Sequence, residues 1–235
     1  QALAQSVGTP ILVGAPMGFS SRGRWSTTNS AALLQRDGAL AGRYDKLHLV
    51  PFGEFIPGES ALPWLREALP PIGDFVPGHE YTVFELPAER SVNEGDFGLR
   101  ISDFGLDNPQ SPIRNPQFQF SVLICFEDTF PNVARAFVRR GAQMLLTITN
   151  DAWFGNTAAA YQHAQASTLR AVELRVPMIR AANTGWSGCI DAQGRWLSSV
   201  RDAAGRELFV DGTAVCDVPV GQAQTVYARL GDWFA

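Results

Sequence analysis

The sequence predicts an α/β fold in which helices cover a sheet. Three observations carry that prediction. From Phe120 onward, apolar runs of strand length alternate with helical segments in the order strand, helix, strand, helix, strand. The first of those runs, residues 120–124, is mostly apolar with β-branched Val122 and Ile124, as a buried strand is. In the first half, Asp37-Gly38 lies between two strand-like arms, which is a strong hairpin signal.

Taken in order, residues 1–6 read as the tail of a helix, and residues 10–15 as a strand that ends in Pro16. Residues 29–35 and 39–44 are the hairpin arms, and Lys46 lies just past the second. From Pro51 to Gly78 prolines and glycines are frequent, with a short helix expected over 60–69. A loop this long inside a compact domain is usually functional, often a lid. Its apolar residues (Phe55, Ile56, Leu62, Trp64, Leu65, Phe75) either pack underneath as a satellite core or face lipid, and the sequence does not choose.

Residues 81–86 and 97–101 look like strands around a polar excursion over 88–95, and residues 103–116 carry no period and read as loop. After the strand that ends at Cys125, Asp128 or Thr129 can cap a helix, Pro131 suits its first turn, and Arg139-Arg140-Gly141 supplies cations and a stop. A second buried strand covers 144–149 and runs into Asn-Asp-Ala-Trp-Phe-Gly at 150–155. Residues 157–176 form the best helix in the chain, closed by Pro177. Strands follow at 178–182 and 186–190, split by Asn183-Thr184-Gly185. A turn at 192–194 leads into a strand over 195–200, and two more short strands are expected within 207–218. No internal repeat, low-complexity tract or clear domain boundary interrupts the chain, so residues 1–235 are read as one domain.

Composition narrows the function classes. At 235 residues, with 46% apolar and 18% charged residues, the chain can bury a sizeable core. A net charge of −4 argues against a nucleic-acid surface. No window of 18 apolar residues exists, so nothing in this stretch reads as a membrane span. The three cysteines, Cys125, Cys189 and Cys216, are odd in number and not closely spaced. They indicate neither a disulfide framework nor a zinc site, and Cys189 and Cys216 read as core residues of strands.

Two residues stand out chemically. Cys125 sits between a strand end and a helix start, where backbone N–H groups are free to face an oxyanion and the helix dipole favours a thiolate. A small buried apolar cysteine would look the same in sequence. Lys46 is the only lysine among 19 basic residues, the other 18 being arginine. A bias toward arginine explains the eighteen and leaves the exception. Lysine offers a compact donor that fits where a guanidinium fork cannot, although a surface lysine surviving by chance fits the count too.

Three stretches resemble the nitrilase (carbon–nitrogen hydrolase) superfamily. Tyr-Asp-Lys-Leu-His-Leu-Val-Pro-Phe-Gly-Glu-Phe, at 44–55, resembles its lysine segment, and Leu-Ile-Cys-Phe-Glu-Asp, at 123–128, its nucleophile elbow. Thr-Asn-Asp-Ala-Trp-Phe-Gly at 149–155, with Gln162-His163, Arg170-Ala-Val-Glu173 and Arg180-Ala-Ala-Asn-Thr-Gly185, resembles its apolipoprotein N-acyltransferase branch. The resemblance runs from Ile11 to Trp233. It implies a nitrilase-like α-β-β-α sandwich with a Glu-Lys-Cys triad and no metal or cofactor. Cys125 would attack an acyl ester of a phospholipid, with Lys46 and the Phe126 N–H on the oxyanion, and the amine of a diacylglyceryl apolipoprotein would take the acyl chain. Glu54 and Glu127 would be supporting carboxylates, and Trp153 and Phe154 would wall the acyl pocket. Glu173 and His163 read as structural. The family's general-base glutamate would lie upstream of the Ile11 strand, and no glutamate here precedes Glu54. The resemblance therefore implies a piece of a bacterial inner-membrane enzyme with its catalytic domain on the periplasmic side, lacking its first strand and flanking membrane helices. A soluble amidase of the same superfamily and a non-catalytic binding module on the same fold are the alternatives.

Overall fold

The computed structural model describes residues 1–21, 23–59, 61–62, 64–68, 73–87, 117–220 and 225–233. They fall into two compact units, Gln1–Thr82 and Val83–Ala235. The strand expected over 97–101 and the loop over 103–116 lie outside the described residues. Among the described residues no helix is long and apolar enough to cross a membrane.

The first unit is built on an antiparallel sheet of three strands in the order β1-β2-β3. After helix α1 (Ala2–Val7) come β1 (Ile11–Ser21), β2 (Arg24–Leu34) and β3 (Leu40–Asp45). The Asp37-Gly38 turn joins β2 to β3 as expected, with Gly38 in the left-handed region at φ 81 and the Ala39 N–H donating to Asp37 Oδ1 at 2.8 Å. β1 does not stop at Pro16 but pairs onward from Pro16↔Asn29 to Ser21↔Arg24. Among the described strands β1 is an edge, and an edge strand tolerates the missing proline N–H. Of the helix expected over 60–69, the described residues form α2 (Leu65–Ala68). Near its end Pro51–Gly78 is pinned to the sheet, Val76 N–H donating to Thr27 O at 2.9 Å, and to its own start, Phe75 N–H donating to Glu54 O at 3.0 Å. Its apolar residues divide, Ile56 being buried while Leu62 and Trp64 stay exposed.

The second unit holds a six-stranded sheet in the order β4-β5-β6-β7-β8-β9. Its strands are β4 (Phe84–Pro87), β5 (Gln117–Ile124), β6 (Met144–Asn150), β7 (Met178–Asn183), β8 (Gly188–Ile190) and β9 (Trp196–Ser199). β5, β6 and β7 are parallel, and the others join antiparallel at the two sides. Helix α3 (Pro131–Arg139) connects β5 to β6, and α4 (Ala159–Leu174) connects β6 to β7. Such parallel pairs need helical crossovers, which is why strand and helix alternate along this half. Phe120, Val122, Leu123, Ile124, Met144, Leu145 and Met178 form the buried centre. α4 turns Ala160, His163, Ala164, Ser167, Ala171 and Leu174 inward at helical spacing, and Arg175 ends it in the left-handed region two residues before Pro177. A short helix α5 (Val226–Leu230) follows near the end.

Three expectations in this unit are corrected. Neither Asp128 nor Thr129 caps α3: Phe130 is its N-cap without a side-chain cap, and Asp128 is buried among ion partners instead. No strand forms within 207–218, where polar side chains and a disulfide fasten the segment instead of a ladder. Cys189 and Cys216 are joined by that disulfide, their Cα atoms 6.6 Å apart. An odd count of distant cysteines could not reveal a pairing that depends on where the chain returns.

Candidate active site

Cys125 follows the last residue of β5 and begins a 3-10 turn, Cys125–Thr129. Its φ is 55, a left-handed torsion that a non-glycine residue holds at a cost of about 1–3 kcal/mol. Unlike the buried Cys189, it is a free, partly exposed thiol. The first N–H groups of a helical turn have no partner within the turn, and that of Phe126 is among them. Glu127 is fully buried, and its Oε2 accepts the Ile124 N–H at 2.8 Å, which clips the turn back onto the strand that delivers the cysteine. Thr129 Oγ1 closes the turn onto Phe126 O at 2.7 Å, and the half-exposed Phe126 ring packs edge-on against Phe130.

Lys46 lies directly after β3 in the first unit and is 1% exposed, so it is no surface cation. Its Nζ donates to Glu54 Oε2 at 2.7 Å. Glu54 also accepts from Asn29 Nδ2 at 2.7 Å and from Val50 N–H at 2.8 Å. The turn that returns Glu54 to Lys46 runs through Phe52, another positive φ at 61. The backbone at Lys46 is fixed on both sides, its N–H donating to Asn29 O and its O accepting the Gly78 N–H, each at 2.8 Å. A side chain at position 78 would collide with the Asp45 carbonyl, so only glycine approaches this closely. Nothing in the local sequence marks Asn29, because its role is visible only once β2 lies beside β3.

The parallel strands β5, β6 and β7 end on one edge of the second sheet, the edge where ligands bind in sheets of this kind. Beside the Cys125 turn, β6 runs into a second 3-10 turn, Asp151–Phe154. Asn150 Oδ1 accepts the Ala152 N–H at 3.2 Å and Asn183 Nδ2 at 3.1 Å, linking this turn to the end of β7. Trp153 is 83% exposed, whereas the less exposed Phe154 packs edge-on against His163 with centroids 5.7 Å apart. Lys46 and Glu54 are thus brought together in the first unit, and Cys125, Phe126 and Glu127 in the second.

Beneath those two turns lies a buried ion cluster that no local sequence pattern announces. Arg180 Nη1 donates to Asp128 Oδ2 at 2.6 Å, and its Nη2 to Asp151 Oδ2 at 2.9 Å. His163 Nε2 is 3.0 Å from Asp128 Oδ1, and its Nδ1 is 2.9 Å from Asp151 Oδ1 and 2.7 Å from Arg180 Nη2. Ser167 Oγ donates to Asp128 Oδ2 at 2.7 Å. Burial lowers the imidazole pKa, but hydrogen bonds to Asp128 and Asp151 outweigh it and raise the pKa to about 9. Burial likewise opposes ionisation of Asp151, yet His163 and Arg180 hold its pKa below the usual value. Asp128, Asp151, His163 and Arg180 each lie in a stretch that resembles the family, and polar His163 and Ser167 fall on the inward stripe of α4, but nothing local joins them. Glu173 pairs instead with Arg170 at 2.8 Å.

The carbon–nitrogen hydrolase family model matches residues 1–226. An apolipoprotein N-acyltransferase of Geobacter metallireducens is 37% identical over 233 residues, covering 99% of this chain and 38% of that protein. One from Rhizobium rhizogenes is 38% identical over 185 residues, covering 79% of this chain and 29% of that protein. The chain thus spans less than two-fifths of the length of either relative. In fold, it is similar to a carbon–nitrogen hydrolase from Helicobacter pylori G27, with a TM-score of 0.52 and 16% identity over 85% of this chain and 60% of that one.

Proposed function

This chain belongs to the carbon–nitrogen hydrolase family, and from that membership we propose that it carries the chemistry of apolipoprotein N-acylation. The observation that carries the reading is the identity it shares with an apolipoprotein N-acyltransferase along nearly its whole length. The strained, partly exposed Cys125 and the buried Lys46–Glu54 pair support it chemically.

In the proposed reaction the Cys125 thiolate attacks the ester carbonyl of a phospholipid, forming a C–S bond while the carbonyl π electrons move to oxygen. The Lys46 ammonium and the Phe126 N–H stabilise that oxyanion. Collapse breaks the ester C–O bond, leaving an acyl thioester on Cys125, and the departing lysophospholipid oxygen takes up the proton the thiol gave to a general base. The α-amine of a diacylglyceryl-cysteine apolipoprotein then attacks the thioester, so that an amide forms and the thiol returns. Glu54 accepts three hydrogen bonds and Glu127 holds the Ile124 N–H, which suits both carboxylates to support rather than to proton transfer. Trp153 and Phe154 are the proposed walls of the acyl pocket. The proposed site of action is the periplasmic face of a bacterial inner membrane. The Cys189–Cys216 disulfide supports an oxidising compartment, and exposed Phe52, Leu62 and Trp64 are side chains a lipid surface would meet.

The test gives the complete gene product a phospholipid labelled in its acyl chain, with a diacylglyceryl lipopeptide and water competing as acceptors. The expected result is an acyl group on Cys125 by mass spectrometry, followed by N-acylated peptide. Release of free fatty acid in preference to peptide product would make the protein a hydrolase instead. An acyl group on Cys189 or Cys216 would overturn the choice of nucleophile.

A further inference from the structure

We propose that Asp128, His163, Asp151 and Arg180 form a closed brace that fixes the Cys125 turn against the Trp153–Phe154 turn, with His163 and Arg180 as positioning residues. Its consequence for rate rests on the acyl-transfer reading above; its geometry does not.

The ring closes through four links. Asp128 and Asp151 are joined once through the two terminal nitrogens of Arg180 and again through the two ring nitrogens of His163. Each carboxylate therefore uses one oxygen for each cation. A single link would leave a hinge between the carboxylates, whereas two links with planar groups fix both their separation and their orientation. Thr149 Oγ1 adds a bond to Asp151 at 2.9 Å, and Ser167 Oγ is also 3.2 Å from Arg180 Nη1.

The ring is also tied to four separate elements. Asp128 stands on the turn that begins with Cys125, and Asp151 on the turn that carries Trp153 and Phe154. His163 comes from α4 and Arg180 from β7. All four side chains are buried, so none is placed to touch substrate. Two carboxylates face Arg180 and His163, which an imidazolium would balance, while Arg170 on the same helix is paired with Glu173. Gly185 packs so closely on the Asp151 side chain that any Cβ would collide with it, which closes the ring from the β7 side. Replacing such a cluster with apolar residues is often neutral or favourable for stability, so its stability alone is a weak reason for it. Holding a strained cysteine and an aromatic wall in one register is a use that burial, closure and position all fit. A misplacement of about 1 Å at a reacting group costs about a hundredfold in rate.

The experiment uses the complete gene product with His163→Gln, Asp151→Asn and both together, and Ser167→Ala as a gentler variant should the others fail to fold. Amide hydrogen exchange is read at residues 125–129 and 151–154, with kcat and KM for lipopeptide acylation. Each single variant should speed exchange at both turns about tenfold or more and lower kcat about tenfold to a hundredfold, with KM little changed. The double variant should be scarcely worse than either single one, because a broken ring is broken once. Ser167→Ala should shift both turns in the same direction by less. Faster exchange at only one turn, losses that multiply in the double variant, or a loss confined to KM would overturn the brace. If the unsubstituted protein acylates nothing, the functional reading falls, and exchange at the two turns decides the brace alone.

Discussion

At Cys125 the backbone torsion and the side-chain chemistry want different residues. A φ of 55 suits glycine, which reaches it without the Cβ penalty. Cys125→Gly should therefore be more stable than Cys125→Ala by about 1 kcal/mol in denaturant unfolding, while both lose thioester formation. Equal stability of the two would mean that the torsion is not strained in solution. Lys46 makes the complementary case, for here space and charge agree. Its ammonium is buried against Glu54, and a planar guanidinium has neither the shape nor the single point of donation that this site offers. Lys46→Arg should be nearly as damaging as Lys46→Ala. On the proposed mechanism either change removes one oxyanion donor, which costs about 3 kcal/mol, roughly a hundredfold or more in kcat. Near-normal turnover by the arginine variant would remove Lys46 from the mechanism.

Among the elements, α4 joins stability to pH. The rise of the His163 pKa from 6.5 to about 9 means that the folded protein holds this proton more tightly than the unfolded chain. The resulting stabilisation, about 3 kcal/mol, is fully present below pH 6.5 and is lost as pH rises through about 9. Asp128, Asp151 and Arg180 face the imidazole from the two turns and β7, and the two carboxylates set the direction of the shift. Urea unfolding of the chain and of His163→Gln should differ by about that amount at pH 6, and by little near pH 10. A gap that does not depend on pH would show that His163 is neutral in the fold. The same element shows how far the sequence could be read. The length of α4 and its end at Pro177 follow from periodicity and proline chemistry, and the Cys125 elbow follows from a strand that stops at a polar turn. Asp128 looked like a local cap because its four residues of context favour that role. Its actual partners stand 35, 39 and 52 residues away, beyond any local rule. The short strands expected within 207–218 failed for a related reason, since a strand needs a pairing partner and among the described residues none pairs with this segment.

For the molecule as a whole, the disulfide bears on both stability and compartment. From Arg201 to Val220 no residue lies in a helix or strand, so this segment is fastened by separate contacts. Glu207 accepts from Ser199 at 2.6 Å and pairs with Arg201 at 2.8 Å, and the Phe209 N–H donates to Thr184 O at 2.9 Å. The Cys189–Cys216 bond adds a covalent tie across 27 residues of sequence. Closing a loop of that length removes unfolded-state freedom worth about 3.5 kcal/mol. Reduction, or Cys216→Ser, should then lower the unfolding midpoint by about 7 to 14 °C. Neither change should abolish acylation of Cys125, because that thiol takes no part in the bond. Thiol labelling after denaturation should find Cys125 alone of this chain's three cysteines reactive in protein exported to an oxidising compartment, and all three in protein made in a reducing one. Three free thiols in the exported protein, with a midpoint indifferent to reductant, would remove both the tie and the argument it offers for an oxidising site of action.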